Sequence, residues 1–186
     1  MNFSTKIISW YQQNYRNLPW RNTNDAYKIW LSEIILQQTR VSQGLPYYIN
    51  FITAFPTVND LANADEQQVL KLWQGLGYYS RARNLHFTAK FVVENLNGIF
   101  PTTYEELLKL KGIGTYTAAA IASFSANEAV AVVDGNVFRV LSRIFNVNYD
   151  ISLNTTKKYF IELAQKLLST TQPNLHNQAI MEFGAL

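Results

Sequence analysis

Cysteine is absent from the 186-residue chain. No disulfide and no thiolate-bound metal can therefore form within it. Long apolar runs are missing too, so nothing in the sequence is continuous enough to span a bilayer, and the N-terminus lacks a secretory signal pattern. A soluble cytoplasmic protein with no membrane partner is the expectation. There is no internal repeat and no low-complexity tract. Charged residues are only 16% of the chain against 48% apolar, the balance of a sequence that folds around a core. The two histidines, His86 and His176, have no metal-ligand spacing and read as structural. The length suffices for one sizeable core or two small lobes.

The net charge of +3 is compatible with nucleic-acid binding without requiring it. Aromatic residues are abundant at 14%, and Tyr and Trp serve as stacking groups as well as core. The most informative stretch is LKGIGTYTAAAIASFSANEAVAVVDGNVFRV, from Leu110 to Val140. It predicts a helix, a tight turn at Gly112, Ile113 and Gly114, and an Ala-rich helix starting near Tyr116. Glycines let the chain reverse sharply and bring bare N–H groups close to a ligand. The following helix start adds orphan N–H groups and a positive dipole end, which suits a phosphate. Gly112, Gly114 and Tyr116 are therefore candidate DNA-phosphate contacts. The same residues also fit a plain helix–helix corner, since short Gly motifs recur widely. The apolar run Val130 to Val133 delivers Asp134 to a further helix start, where it can cap.

Read in order, the chain is helix after helix, an all-α fold. Helices are predicted over 2–15, 26–40, 43–55, 65–73, 79–96, 154–168 and 173–184, with another after Asp134 marked by Val137, Val140, Leu141 and Ile144. Leu18-Pro19-Trp20-Arg21 breaks the first. Asp25 is a plausible cap for the second, and Thr102 and Thr103 each precede a glutamate by three residues, a capping-box signature before the hairpin. Val130 to Val133 is too short to define a sheet. In the helix AYKIWLSEIILQQTR, Glu33 has Ile29, Trp30, Leu36 and Gln37 at its i±3 and i±4 positions. If buried there, its carboxyl loses hydration and favours the protonated form, as a general acid near neutral pH requires. On spacing alone, Glu33 facing solvent beside Gln37 is the more common arrangement, since buried glutamates are rare.

LKGIGTYTAAAI followed by VVDGNVFRV resembles the hairpin and catalytic-aspartate block of the helix-hairpin-helix DNA glycosylases, the endonuclease III superfamily. Where bifunctional members carry a lysine, this chain has Tyr116, so the resemblance implies a monofunctional enzyme. LPWR at 18–21, WLSEIILQQT at 30–39 and GLGYYSRARNL at 75–85 resemble one branch, the MutY-type adenine DNA glycosylases, which remove adenine mispaired with 8-oxoguanine or guanine. That resemblance implies a two-lobed fold, with a helical barrel over 22–129 and a second lobe from 1–21 and 130–186. It implies Glu33 as the acid that protonates adenine, Asp134 as the stabiliser of the sugar cation, and Tyr116 and Asn136 beside them. The flipped base would be held by Trp20, Arg21, Leu36, Tyr116 and Gln178. Gln38, Leu76 and Tyr78 would wedge into the duplex, although core packing is the alternative for Leu76 and Tyr78. Arg81 and Arg83 read as a solvated face or as phosphate contacts.

The resemblance further implies a monomer, acting on double-stranded DNA in the bacterial cytoplasm at the nucleoid. Family members continue past a helix like that at 177–186 into four cysteines holding a four-iron four-sulfur cluster. The expectation is a fragment of such a protein, with a cluster-free natural protein as the alternative. A mismatch thymine glycosylase and a non-catalytic DNA-binding module are the other readings. Glu33 and the Gln37-Gln38 pair speak against the first, and the joint presence of Glu33 and Asp134 against the second.

Overall fold

The computed structural model describes residues 2–186. Among them the regular elements are α1 (Phe3–Asn14), a 3₁₀ turn (Pro19–Arg21), α2 (Ala26–Ile35), α3 (Val41–Ala54), α4 (Val58–Asn63), α5 (Glu66–Trp73), α6 (Ser80–Asn95), α7 (Tyr104–Leu107), α8 (Thr115–Ala126), α9 (Gly135–Ile144), α10 (Asn154–Leu167) and α11 (Pro173–Ala185). Side-chain caps set many of the starts. The Asn2 carboxamide accepts from Thr5 N, the Asp25 carboxylate from Tyr27 N and Lys28 N, and the Thr103 hydroxyl from Glu106 N. One helix goes unpredicted: α4 follows Thr57, which forms a capping box with Asp60 rather than with the usual Glu or Gln. α2 is also shorter than the predicted 26–40. It stops at Ile35, and Gln38 beyond it turns left-handed at φ 55°.

The helices enclose two main cores, with a small cluster of Ala119, Ala120 and Val132 besides. The larger is built from α2 to α8, with Trp30, Phe51, Leu61, Trp73, Leu85 and Ile121 fully buried. The second is formed by α1, α9, α10 and α11 around Ile7, Tyr11, Leu141, Phe160 and Ile180. The chain thus enters the second core, builds the first and returns. The return passes through Val130 to Val133, which is not in a sheet, so its backbone groups need other partners. Side-chain amides supply them. Gln165 accepts from Ala131 N at 2.8 Å and donates to Ala129 O at 2.9 Å. The buried Asn177 accepts from Val132 N at 3.1 Å and donates to Val130 O at 2.9 Å and to Ser123 Oγ at 2.8 Å. One amide on α11 therefore ties both α8 and the segment that presents Asp134.

α9 and α11 cross at Gly184, where a Cβ would come within 2.5 Å of the Asn136 carbonyl oxygen. Arg139 donates to the Gly184 carbonyl at 2.6 Å. Because the obstruction is backbone, a side chain here must push the two helices apart. Gly184→Ala should lower the unfolding free energy by about 1–3 kcal/mol, the usual cost of overpacking. Urea unfolding measures it, and an unchanged midpoint would show that the crossing is looser than described.

Candidate active site

A cavity of about 730 Å³ opens between the two cores, and α2, the 3₁₀ turn, the start of α8, the start of α9 and the inner face of α11 all contribute to its wall. Glu33 reaches it from α2, Tyr116 from the first turn of α8, and Asp134 and Asn136 from the start of α9. Trp20, Arg21, Leu36 and Gln178 line it as well. The structure therefore brings together all eight residues assigned to catalysis or the base pocket.

The two carboxyl groups sit in different surroundings. Asp134 is the N-cap of α9. One oxygen accepts from Val137 N at 2.9 Å and the other from the Asn136 amide at 2.9 Å. Burial raises its pKa, and these hydrogen bonds hold it back. Glu33 has no cationic partner among the described residues. Burial raises its pKa to about 7; interaction with the Tyr116 hydroxyl works against this, and the nearby Asp134 charge adds to it. Tyr116 is raised well above its usual value by burial and by both carboxylates, so it stays a neutral phenol. At neutral pH the cavity thus holds a carboxyl poised to give up a proton beside one anchored on helix-start donors.

Sequence reasoning missed the residue that organises the outer wall. Glu182, the single acidic residue of α11, has a fully buried side chain. Arg16 donates to it from Nε and Nη2 at 2.6 Å each, and Arg21 from Nη2 at 2.7 Å. This fork holds Arg21 at the cavity, its guanidinium 5.7 Å from the Tyr11 ring centroid. One turn earlier, the Gln178 carbonyl accepts from the Tyr11 hydroxyl at 2.7 Å and its amide donates to Asn174. One N–H of Gln178 remains for a ligand.

The hairpin residues form a tight corner before α8. α7 is a single turn, Gly112 is left-handed at φ 80°, and Ile113 is buried in the larger core. Gly114 caps α8 and is exposed, with open space where a Cβ would be. The three wedge candidates divide. Gln38 is exposed and Tyr78 is 68% exposed, each on a left-handed turn, whereas Leu76 is only 7% exposed and packs in the core. Arg81 is not a solvated face, since its guanidinium turns inward onto carbonyl groups. Arg83 is exposed beside Glu66. His176 is buried with Nδ1 2.9 Å from Ser4 Oγ. The cluster implied by resemblance needs thiolates, and this chain has none. Nor does any group of three or more His, Asp or Glu among the described residues suit a metal. The residues present do not fit the cluster.

Burial raises the pKa of Glu182, but hydrogen bonds from Arg16 and Arg21 outweigh it and bring it from the usual 4.5 to about 2. A lowered folded-state pKa contributes stability above about pH 4.5, lost as pH falls toward 2. Glu182→Gln should therefore cost about 3 kcal/mol at neutral pH, as breaking a buried pair does. The gap to the parent chain should close between about pH 4.5 and 2. Denaturant unfolding across that range checks both, and a pH-independent gap would contradict the assignment.

The geometry has counterparts among known proteins. The chain is 43% identical over 99% of its length to an adenine DNA glycosylase of Buchnera aphidicola subsp. Baizongia pistaciae, covering 52% of that protein. It is 44% identical over 98% of its length to the human adenine DNA glycosylase, covering 35% of it. The chain thus spans about half, or less, of the length of these relatives. Among solved structures, a thermostable thymine-DNA glycosylase superposes with a TM-score of 0.90 at 29% identity, over 99% of this chain and 85% of that one. The family described as HhH-GPD superfamily base excision DNA repair protein matches residues 31–172, which include Glu33, the hairpin, Tyr116 and Asp134. With that match covering well over half of the chain, from within α2 through α10, the chain belongs to the HhH-GPD superfamily of base excision DNA repair proteins.

Proposed function

We propose that this chain is a monofunctional glycosylase that hydrolyses the N-glycosidic bond of adenine mispaired with 8-oxoguanine or guanine in double-stranded DNA. The observation that carries this reading is the carboxyl pair in one cavity, Glu33 half-buried with its pKa raised to about 7, Asp134 anchored by Val137 N and Asn136. Adenine leaves poorly as an anion and well as a neutral base. Glu33 gives its proton to a ring nitrogen of the departing base. The sugar gains oxocarbenium character, which the Asp134 carboxylate stabilises until a water adds to the anomeric carbon and gives its proton to the now ionised Glu33, a division of labour like that of paired carboxylates in glycoside hydrolysis. A duplex buries the bond, so the nucleotide has to swing out, and a cavity of about 730 Å³ is of ligand-site size. Trp20, Leu36 and Tyr116 supply its walls, while Arg21 and the free N–H of Gln178 supply polar contacts to the base edge. Gly112 and Gly114 with the start of α8 hold the DNA backbone. Gln38 and Tyr78 face the duplex as wedges, with Leu76 as the packed floor beneath them.

Likeness to a thymine-DNA glycosylase favours a second reading, thymine removal from mismatches. The proton-bearing Glu33 suits adenine, which needs that proton to leave.

Single-turnover base release separates the two. Duplexes with adenine opposite guanine or 8-oxoguanine should release free adenine, and thymine opposite guanine should not react. Glu33→Gln should slow adenine release by roughly 100- to 10,000-fold, the worth of a general acid, with duplex binding preserved. In the parent chain the ionised Glu33 is the inactive form, so the rate should fall as pH rises through about 7. A Gln variant of near-parental rate, or a rate that climbs above that pH, would remove Glu33 from the role.

A further inference from the structure

α2 ends early, and an arginine from another helix closes it. Arg81 lies in the first turn of α6, where its charge opposes that helix's own dipole. Its guanidinium has no carboxylate partner among the described residues. Instead Nη1 donates to the carbonyls of Gln37 at 2.5 Å, Ile34 at 3.1 Å and Ile35 at 3.3 Å. These are the last turn of α2 and the residue before the left-handed Gln38, so Arg81 satisfies orphan carbonyls at the negative end of that helix. Nη2 faces the other way and donates to Leu76 O at 3.2 Å and Gly77 O at 3.3 Å. Those carbonyls belong to the turn that throws out the exposed Tyr78.

The second turn has its own supports. Trp73 Nε1 donates to Gly77 O at 2.9 Å, and Tyr47 Oη to Gln74 O at 2.9 Å. Gly75, Gly77 and Tyr78 all have positive φ, and the Arg81 guanidinium packs 5.0 Å from the Trp73 ring centroid and 5.8 Å from that of Tyr78. Gln38 and Tyr78 thus both occupy a backbone region that is costly for non-glycine residues. Such conformations persist only where the surroundings over-determine them. Here one planar fork grips both turns at once. Lysine cannot do this, because its ammonium is a single point while guanidinium presents donors in two directions.

We propose that Arg81 is a positioning residue for base extrusion: it staples the 36–39 turn to the 75–78 turn so that Gln38 and Tyr78 enter the duplex as one rigid wedge. The extrusion role rests on the function proposed above; the staple itself does not. Arg81 does not itself line the cavity or meet the carboxyl pair, and it reaches the cavity wall only through the Gln37 carbonyl, so its loss should act first on opening the stack.

Arg81→Lys and Arg81→Met test this in two measurements on the full chain. Hydrogen exchange should speed up together at the amides of both turns, while α1, α9 and α11 stay as protected as in the parent. Adenine release should slow by about 100-fold from a duplex with guanine opposite, the scale of a small misplacement. It should return close to the parental rate when the opposite position is abasic and the adenine is already unpaired. Exchange that rises in one turn only, equal slowing on both duplexes, or no slowing would each overturn the proposal. A parent chain that released adenine from neither duplex would refute the proposed function instead, and hydrogen exchange would then decide the staple alone.

Discussion

A carboxyl group drawn partly out of water without a cation to meet it is costly, and this molecule keeps one in that state at Glu33. Its charge is disfavoured by burial and by Asp134, so the group holds its proton into the neutral range. Asp134 avoids the same fate through two donors, the Val137 amide and the Asn136 carboxamide. The contrast between two carboxyls in one cavity is what makes the site chemically asymmetric.

The two groups come together through contacts between the two cores. Glu33 belongs to the first, through α2, and Asp134 to the second, through α9. Their relative position depends on α11, which carries Asn177 to fasten the segment leading into Asp134, Glu182 to fasten Arg16 and Arg21, and Gly184 to let α9 close in. The N-terminal segment is held by the same helix. A single helix therefore sets the distance between acid and anion and the outer wall of the cavity. The wedge turns lie outside this system, which is why they need an internal tie of their own.

Local signals made much of this legible. Asp25, Thr103 and Asp134 announce helix starts by capping chemistry, and each does cap in the structure. The Gly-Ile-Gly turn announces a tight corner, and the left-handed Gly112 is where glycine is required, while Glu33 stands out because its helical neighbours are largely apolar. What stayed hidden depends on partners far away in the chain. The guanidinium that meets the carbonyls at the early end of α2 comes from Arg81, more than forty positions on, and the side chain of that arginine looks from sequence like any other on a surface. Glu182 matters because Arg16 and Arg21 fold back onto it. Leu76 reads as a wedge by resemblance, yet the turn that exposes Tyr78 drives Leu76 into the core. α4 escaped because its capping box uses aspartate at the third position.

The protonation state of Glu33 is the quantity on which the account stands, and it can be observed without DNA. Carbon-13 NMR of the Glu33 side-chain carboxyl, titrated in the parent chain and in Asp134→Asn, reads it directly. A midpoint near pH 7 is expected in the parent and a lower one once the Asp134 charge is gone. A parent midpoint at the ordinary carboxyl value of 4.5, unmoved in the variant, would contradict it.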